Sequence, residues 1–270
     1  PGAPRFRVGV EAASHFNADR AGGESASFDG ETQALRLAAA LGLRGGWELG
    51  AEISALGHNG GVFDAFIEGW HRAFHLPQGG RDEAPRGRLD LTYRDETGRI
   101  RLDRSTWGLG DALVWGGHGL GRAAALRGWL RLPTGRPEGL LGAGTVQAGL
   151  RLDAGGEMPR LRAGWYAGLA AWGAGRGDVL PDRRRRWQAG ATAGLEWSPR
   201  EPVVLRAQLD AATPAFRSRT RPLGSPALQL WTGGSLRLSE TAWLDLAVGE
   251  DVAVDTAPDV TFLASVRWSP

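Results

Sequence analysis

Cysteine and lysine are both absent from the 270 residues, and methionine occurs once. Without cysteine there is no disulfide framework, no thiolate metal site and no thiol nucleophile. Without lysine, all 32 basic residues are arginine, and 30 acidic residues leave a net charge of only +2. No global field of one sign therefore draws in nucleic acid or an anionic surface. No run of about eighteen apolar residues exists, which excludes a membrane-spanning helix. Phosphate-binding glycine loops and nucleic-acid platforms are missing as well. The chain opens Pro1-Gly2-Ala3-Pro4-Arg5 without a secretory leader, as expected of a mature or trimmed N-terminus.

What the sequence has is alternation with a period of two, the mark of strands with one apolar and one polar face. Phe6, Val8, Val10 and Ala12 alternate with Arg5, Arg7, Gly9 and Glu11. A polar stretch at 17–27 reads as a loop. Leu35 to Leu43 and Trp47 to Ala55 alternate on either side of a tight turn at Arg44-Gly45-Gly46. Similar runs follow, broken at Gly121-Arg122, Asp153, Ser198 and Ser239 by short connections. Longer ones lie at Asn17, Asn59, Thr134, Ala174, Pro214 and Ala253. On the run from Trp107 to Leu120, strict alternation puts Leu109, Leu113 and Trp115 on one side.

The pattern predicts an all-β chain of a single domain, 1–270. Its form is an antiparallel up-and-down barrel of about twelve strands that crosses a membrane. A soluble sandwich also alternates, but here the polar face carries full charges near mid-strand, and the apolar face is mostly Leu and Ala. Charges suit a watery lumen better than the gap between two packed sheets. The candidate lumen-lining residues are Arg36, Glu52, Arg127, Arg131, Arg162, Arg206, Asp210 and Arg237. Trp47, Trp197 and Trp268 share the apolar parity beside the short turns, where an aromatic girdle belongs. With both termini on the short-turn side, the long loops face outward from a bacterial outer membrane. Lipid is then the expected surrounding.

The longest loop, 59–106, holds the one segment with helical spacing. Val62, Phe63, Phe66, Ile67, Trp70 and Phe74 recur at three- and four-residue steps, which predicts an amphipathic helix near 61–75. A short hairpin follows, with its turn at Thr97-Gly98. Phe63, Phe66, Ile67, Trp70 and Phe74 are the candidates for a plug or gate, the alternative being a helix that lies in the headgroup layer. Glu68, His71 and His75 share a helical side, but the zinc-protease pattern needs Glu directly after the first histidine, where Arg72 stands. A solvated polar face explains them, so no metal or cofactor is expected. His15, His58 and His118 have no catalytic spacing, and no catalytic residue is assigned. Arg183-Arg184-Arg185-Arg186 opens a strand at the outer end, where arginines can pair with lipopolysaccharide phosphates or simply be solvated.

Several blocks together resemble the bacterial family catalogued as domain of unknown function 3187. They are Gly30-Glu31-Thr32, the run from Gly60 through Phe66-Ile67-Glu68-Gly69-Trp70-His71, Gly79-Gly80-Arg81-Asp82, Gly108-Leu109-Gly110-Asp111 and Leu132-Pro133-Thr134-Gly135. The resemblance implies an outer-membrane barrel and carries no established activity. Read as residues alone, the glycine pair with Asp111 marks the start of a strand, and Pro133-Thr134-Gly135 marks a turn. The expected function is a narrow pore or transporter for a small solute. The alternatives are a closed structural or surface-binding barrel touching lipopolysaccharide or a partner, and an outer-membrane lipid-modifying enzyme.

Overall fold

The structure is a computed structural model and describes residues 2–61, 69, 87–252 and 256–270. Its strands are β1 (Pro4–Ala21), β2 (Glu24–Gly42), β3 (Trp47–Asn59), β4 (Asp90–Arg94), β5 (Arg99–Leu102), β6 (Thr106–Leu109), β7 (Ala112–Gly119) and β8 (Ala124–Leu132). There follow β9 (Gln147–Met158), β10 (Ala163–Ala174), β11 (Trp187–Arg200), β12 (Val203–Ala212), β13 (Ala227–Arg237), β14 (Ala242–Asp251) and β15 (Val260–Trp268). Each strand of the wall pairs antiparallel with its neighbour, and β1 pairs with β15, so the sheet closes. β6 and β7 lie end to end along β3 and count as one wall member, which makes a barrel of twelve. The β4–β5 hairpin adds to the far end of β2 and stands outside the ring.

The burial pattern inverts that of a water-soluble protein. Leu150, Leu169 and Leu195 are 60%, 65% and 59% exposed, whereas Ser14, Gln147, Ser235 and Ser265 are buried. A continuous apolar exterior of this kind requires a non-aqueous surrounding. Closure pairs the wall's backbone from strand to strand around the ring, as lipid demands, although β6 itself pairs only with β3. Inside, aromatic side chains cover glycines on neighbouring strands. A Cβ on Gly149 would stand 2.6 Å from Trp129 and 2.7 Å from Trp172. Gly149→Ile is therefore expected to cost about 3 kcal/mol, the upper end of overpacking. The folded yield, read as the heat-modifiable band in gel electrophoresis, should fall sharply; an unchanged yield would show that the rings can move aside.

Three expectations change. The stretch 17–27 is not a loop: β1 and β2 pair without a break to a two-residue turn at Gly22-Gly23, both with positive φ. Such a primed turn continues the strand twist, and the hairpin runs on beyond Ser14, where the pairing of β1 with β15 ends. Beyond the lipid neither face must be apolar, and the alternation that marks a strand disappears. Second, Leu109 pairs with Ala55, but Leu113 pairs with Glu52, so the register slips by one residue at Gly110-Asp111. This bulge turns Leu109 out while Leu113 and Trp115 point in. Third, Arg162 is not on a strand; it sits in the turn before β10 at φ +51. The predicted helix near 61–75 lies outside the described residues. The residues that flank this stretch are described: Gly60 and Gly87 are in such close contact that a Cβ on Gly60 would overlap the Gly87 carbonyl.

Candidate functional site

Side chains that meet across an intervening strand must do so on the concave face of a barrel. Arg7 on β1 reaches over β2 to Glu52 on β3 at 2.9 Å. Between them, Arg36 donates to Glu11 at 3.3 Å and Glu52 at 3.5 Å. Glu48 accepts from Arg5, from Trp115 Nε1 at 2.9 Å and lies 3.5 Å from Arg127. On the opposite wall, Arg206 donates to Glu196 at 2.7 Å and lies 3.7 Å from Asp245, which Arg267 also meets at 3.0 Å. Tyr166 donates to Gln208 across β11, and Gln208 and Thr192 both donate to Asp210 at 2.7 Å.

The first of these networks, with Arg127, Trp129 and Arg131, lines a cavity of about 830 Å³ that reaches the short-turn rim at Glu240, Thr241 and Ser269. Of the residues singled out from sequence, Arg36, Glu52, Arg206 and Asp210 fall in the inner networks. Arg127 and Arg131 line the cavity itself. Arg237 stands at the rim, where it donates to the Ser239 carbonyl and lies 3.8 Å from Glu201. Arg162 is not brought to the interior; its guanidinium donates to the Pro199 carbonyl in the neighbouring turn. Trp47, Trp197 and Trp268 are all exposed at the short-turn end. Phe63, Phe66, Ile67, Trp70 and Phe74, together with Glu68, His71 and His75, lie outside the described residues.

At the long-loop end the residues 133–146 fold inward. Asp111, at the bulge, accepts from the backbone N–H of Gly135 at 3.1 Å through Oδ1 and of Ala143 at 2.9 Å through Oδ2. The Thr134 hydroxyl donates to the Gly110 carbonyl at 2.8 Å and accepts from Ala112 N–H at 2.9 Å. The two blocks read as a strand start and a turn are thus the two halves of one clasp. Farther along, the Leu140 carbonyl lies 3.2 Å from His58 Nε2 on the inner face of β3, and Leu141 is fully buried. His58 continues through Thr32 to His15, at 2.9 and 3.0 Å. Residues 175–186 pack against this loop: the Gly144 backbone faces Asp178, and that of Gly177 faces the Ala143 carbonyl.

A buried cluster ties the outermost segments together. The single hydroxyl proton of Tyr93 on β4 is shared between two acceptors, Glu24 at 3.1 Å and Asp95 at 2.9 Å. Arg183 meets Asp95 at 2.8 Å and Glu24 at 3.5 Å. Ser218 and the Arg219 N–H also donate to Glu24. Tyr93, Ala26 and Leu180 form the apolar floor, with Phe28, Ile100, Phe216 and Leu223 around it. Burial alone would push the Asp95 carboxyl up, but the Thr97 and Gly98 N–H groups and the Tyr93 and Thr97 hydroxyls together hold it down at about 2. For Glu24, burial is likewise outweighed by Ser218, Arg219, Tyr93 and Arg183, and its pKa is lowered. Burial and the two carboxylates raise that of Tyr93. Of the four consecutive arginines, Arg183 is thus committed to an internal ion pair, and Arg184 lies over the Phe216 ring at 5.1 Å.

A closed, twelve-stranded antiparallel barrel with an apolar exterior and a charged interior has the fold of outer-membrane β-barrel proteins. Solved structures agree. An outer-membrane channel from Pseudomonas putida F1 is similar with a TM-score of 0.62 at 13% identity, over 99% of this chain and 95% of that one. The translocator domain of the autotransporter NalP from Neisseria meningitidis follows at 0.51 and 10% identity, over 100% and 89%. The NanC porin gives 0.50 at 9% identity, over 99% and 98%. At these identities the likeness is one of fold. No curated protein matches the chain. The family described as "Protein of unknown function (DUF3187)" matches residues 2–269, and the chain belongs to that family.

Proposed function

We propose that the protein is an outer-membrane channel that admits a small solute. The observation that carries this reading is the cavity of about 830 Å³ inside the closed wall, lined by charged side chains and reaching the short-turn rim. A barrel that served only as a scaffold has no need of a charged interior space; apolar filling of the same volume is at least as stable. The inward loop 133–146 narrows the other end, so passage is selective rather than free. Trp47, Trp197 and Trp268 mark the level at which the short-turn rim meets the headgroups. Single-channel recording tests the reading. Purified protein in planar bilayers in molar KCl is expected to give small discrete openings. Silent membranes over a range of salts, with protein of verified heat-modifiable mobility, would reject it.

A further inference from the structure

The charges on the cavity wall are unequal. Six arginines line it, Arg5, Arg7, Arg127, Arg131, Arg151 and Arg267, against three glutamates, Glu48, Glu52 and Glu240. Most of the six are engaged. Arg5 and Arg127 share Glu48, Arg7 meets Glu52, Arg151 donates to Asp153 at 2.7 Å, and Arg267 meets Asp245. Arg131 differs: among the described residues it has no hydrogen bond or ion pair, and Asp111, Arg36 and Glu52 act on it only through space.

Its position gives this free guanidinium a use. Arg131 lies one residue before the end of β8, directly below the inward loop. Its cross-strand partners are Leu113 on β7 and Gln147 on β9. Gln147 is a buried amide on the same face. Two residues back, on that face too, the Trp129 ring lies 6.3 Å from the Trp172 ring. A planar donor fork with an amide beside it suits a carboxylate, which it can hold through two parallel bonds. The paired indole rings suit an apolar body rather than a hydrated one.

We propose that Arg131 is the solute-contacting residue of the bore, and that the solute is a small organic carboxylate whose apolar part lies on Trp129 and Trp172. This rests on the channel reading for its physiological meaning, but the site can be tested without conduction. Calorimetric titration of the detergent-solubilised protein with hexanoate should show saturable binding that Arg131→Gln weakens about tenfold or more. Arg131→Lys, which keeps the charge and loses the fork, should fall between them. Inorganic phosphate should bind more weakly than hexanoate, because it gains nothing from the rings. In bilayers under a KCl gradient, the wild type should favour anions, and Arg131→Gln should move the reversal potential toward zero. Arg162→Gln, in the turn, should change neither measurement.

Each variant is first checked for the heat-modifiable band of a closed barrel. Hexanoate binding that is equal in wild type and Arg131→Gln overturns the proposal, as does cation preference in the wild type. Phosphate that binds as tightly as hexanoate overturns the assignment of the rings. Silent bilayers with an intact, Arg131-dependent titration would instead reject the channel reading while the site stands.

Discussion

Replacing Asp111 with alanine is expected to at least double the single-channel conductance and to make it noisy. Both carboxylate oxygens hold the inward loop, one through Gly135 N–H and the other through Ala143 N–H. A hydrogen bond to a charged acceptor is worth about 1.5–3 kcal/mol. Losing even about 3 kcal/mol in total shifts the ratio of docked to undocked loop by roughly a hundredfold. The Thr134 hydroxyl still ties the loop to Gly110 and Ala112, so the barrel wall itself should survive. Asp111→Asn keeps one acceptor oxygen and should give an intermediate conductance. A second readout does not depend on conduction. Leu140-Leu141 is covered in the docked loop, and chymotrypsin should cut there much faster in Asp111→Ala. If conductance and cleavage both match the wild type, the clasp does not hold the constriction.

The outer cluster carries the second large effect. Arg183→Ala leaves the Glu24 and Asp95 carboxylates, 5% and 2% exposed, without their cation. Removing one partner of a buried ion pair typically costs about 3–5 kcal/mol. The cost falls on the outer segments, since the wall strands have their own backbone pairing. Trypsin should then cut at Arg184 to Arg186 while the barrel keeps its heat-modifiable band; protection equal to the wild type would mean the cluster contributes little. Acid should act through the same groups. The Asp95 carboxyl sits at about 2 in the folded cluster against an ordinary 3.8, and that of Glu24 is lowered too. A lowered pKa stabilises the folded form fully above the ordinary value, and the gain is lost as pH falls through the folded value. Between about pH 4 and about pH 2, pepsin is therefore expected to gain access to residues 175–186 and 213–226. Equal resistance at both ends of that window would contradict it.

Where lipid surrounds the chain, the sequence was readable. The alternation of Leu205, Ala207 and Leu209 with Arg206, Gln208 and Asp210 shows which face meets lipid, because no other residue types are tolerated there. The turns at Arg44-Gly45-Gly46 and Gly121-Arg122 fall where glycine supplies a positive φ. The β4–β5 hairpin was legible from its own turn at Thr97-Gly98, which Asp95 secures through three bonds to Thr97 and Gly98. The candidate site was legible only in part. Arg36, Glu52, Arg127, Arg131, Arg206 and Asp210 follow from parity. Arg162 does not, because parity counted across a turn has no meaning once a residue leaves the strand. Arg5, Arg7, Glu48, Arg151, Arg267 and the inward Trp115 and Trp129 were not singled out, although all but Trp115 stand on the polar parity. For Trp115 the bulge at Gly110-Asp111 reverses the count, and a single extra residue leaves no mark in composition.

The sequence by itself therefore determined an all-β wall of about twelve strands, its lipid face, and the family to which the blocks from Gly30 to Gly135 point. Each of these depends on a local rule, that a strand's two faces meet different solvents. The tertiary structure alone decided that 17–27 is a protruding hairpin, that Asp111 and Thr134 clasp one loop inward, and that Glu24, Tyr93, Asp95 and Arg183 meet from separate segments. The hairpin lacks a period because neither face meets lipid, and the other two join groups far apart in the chain through individual hydrogen bonds and ion pairs. Such bonds obey no period, so they become visible only when the barrel closes and brings its rims together.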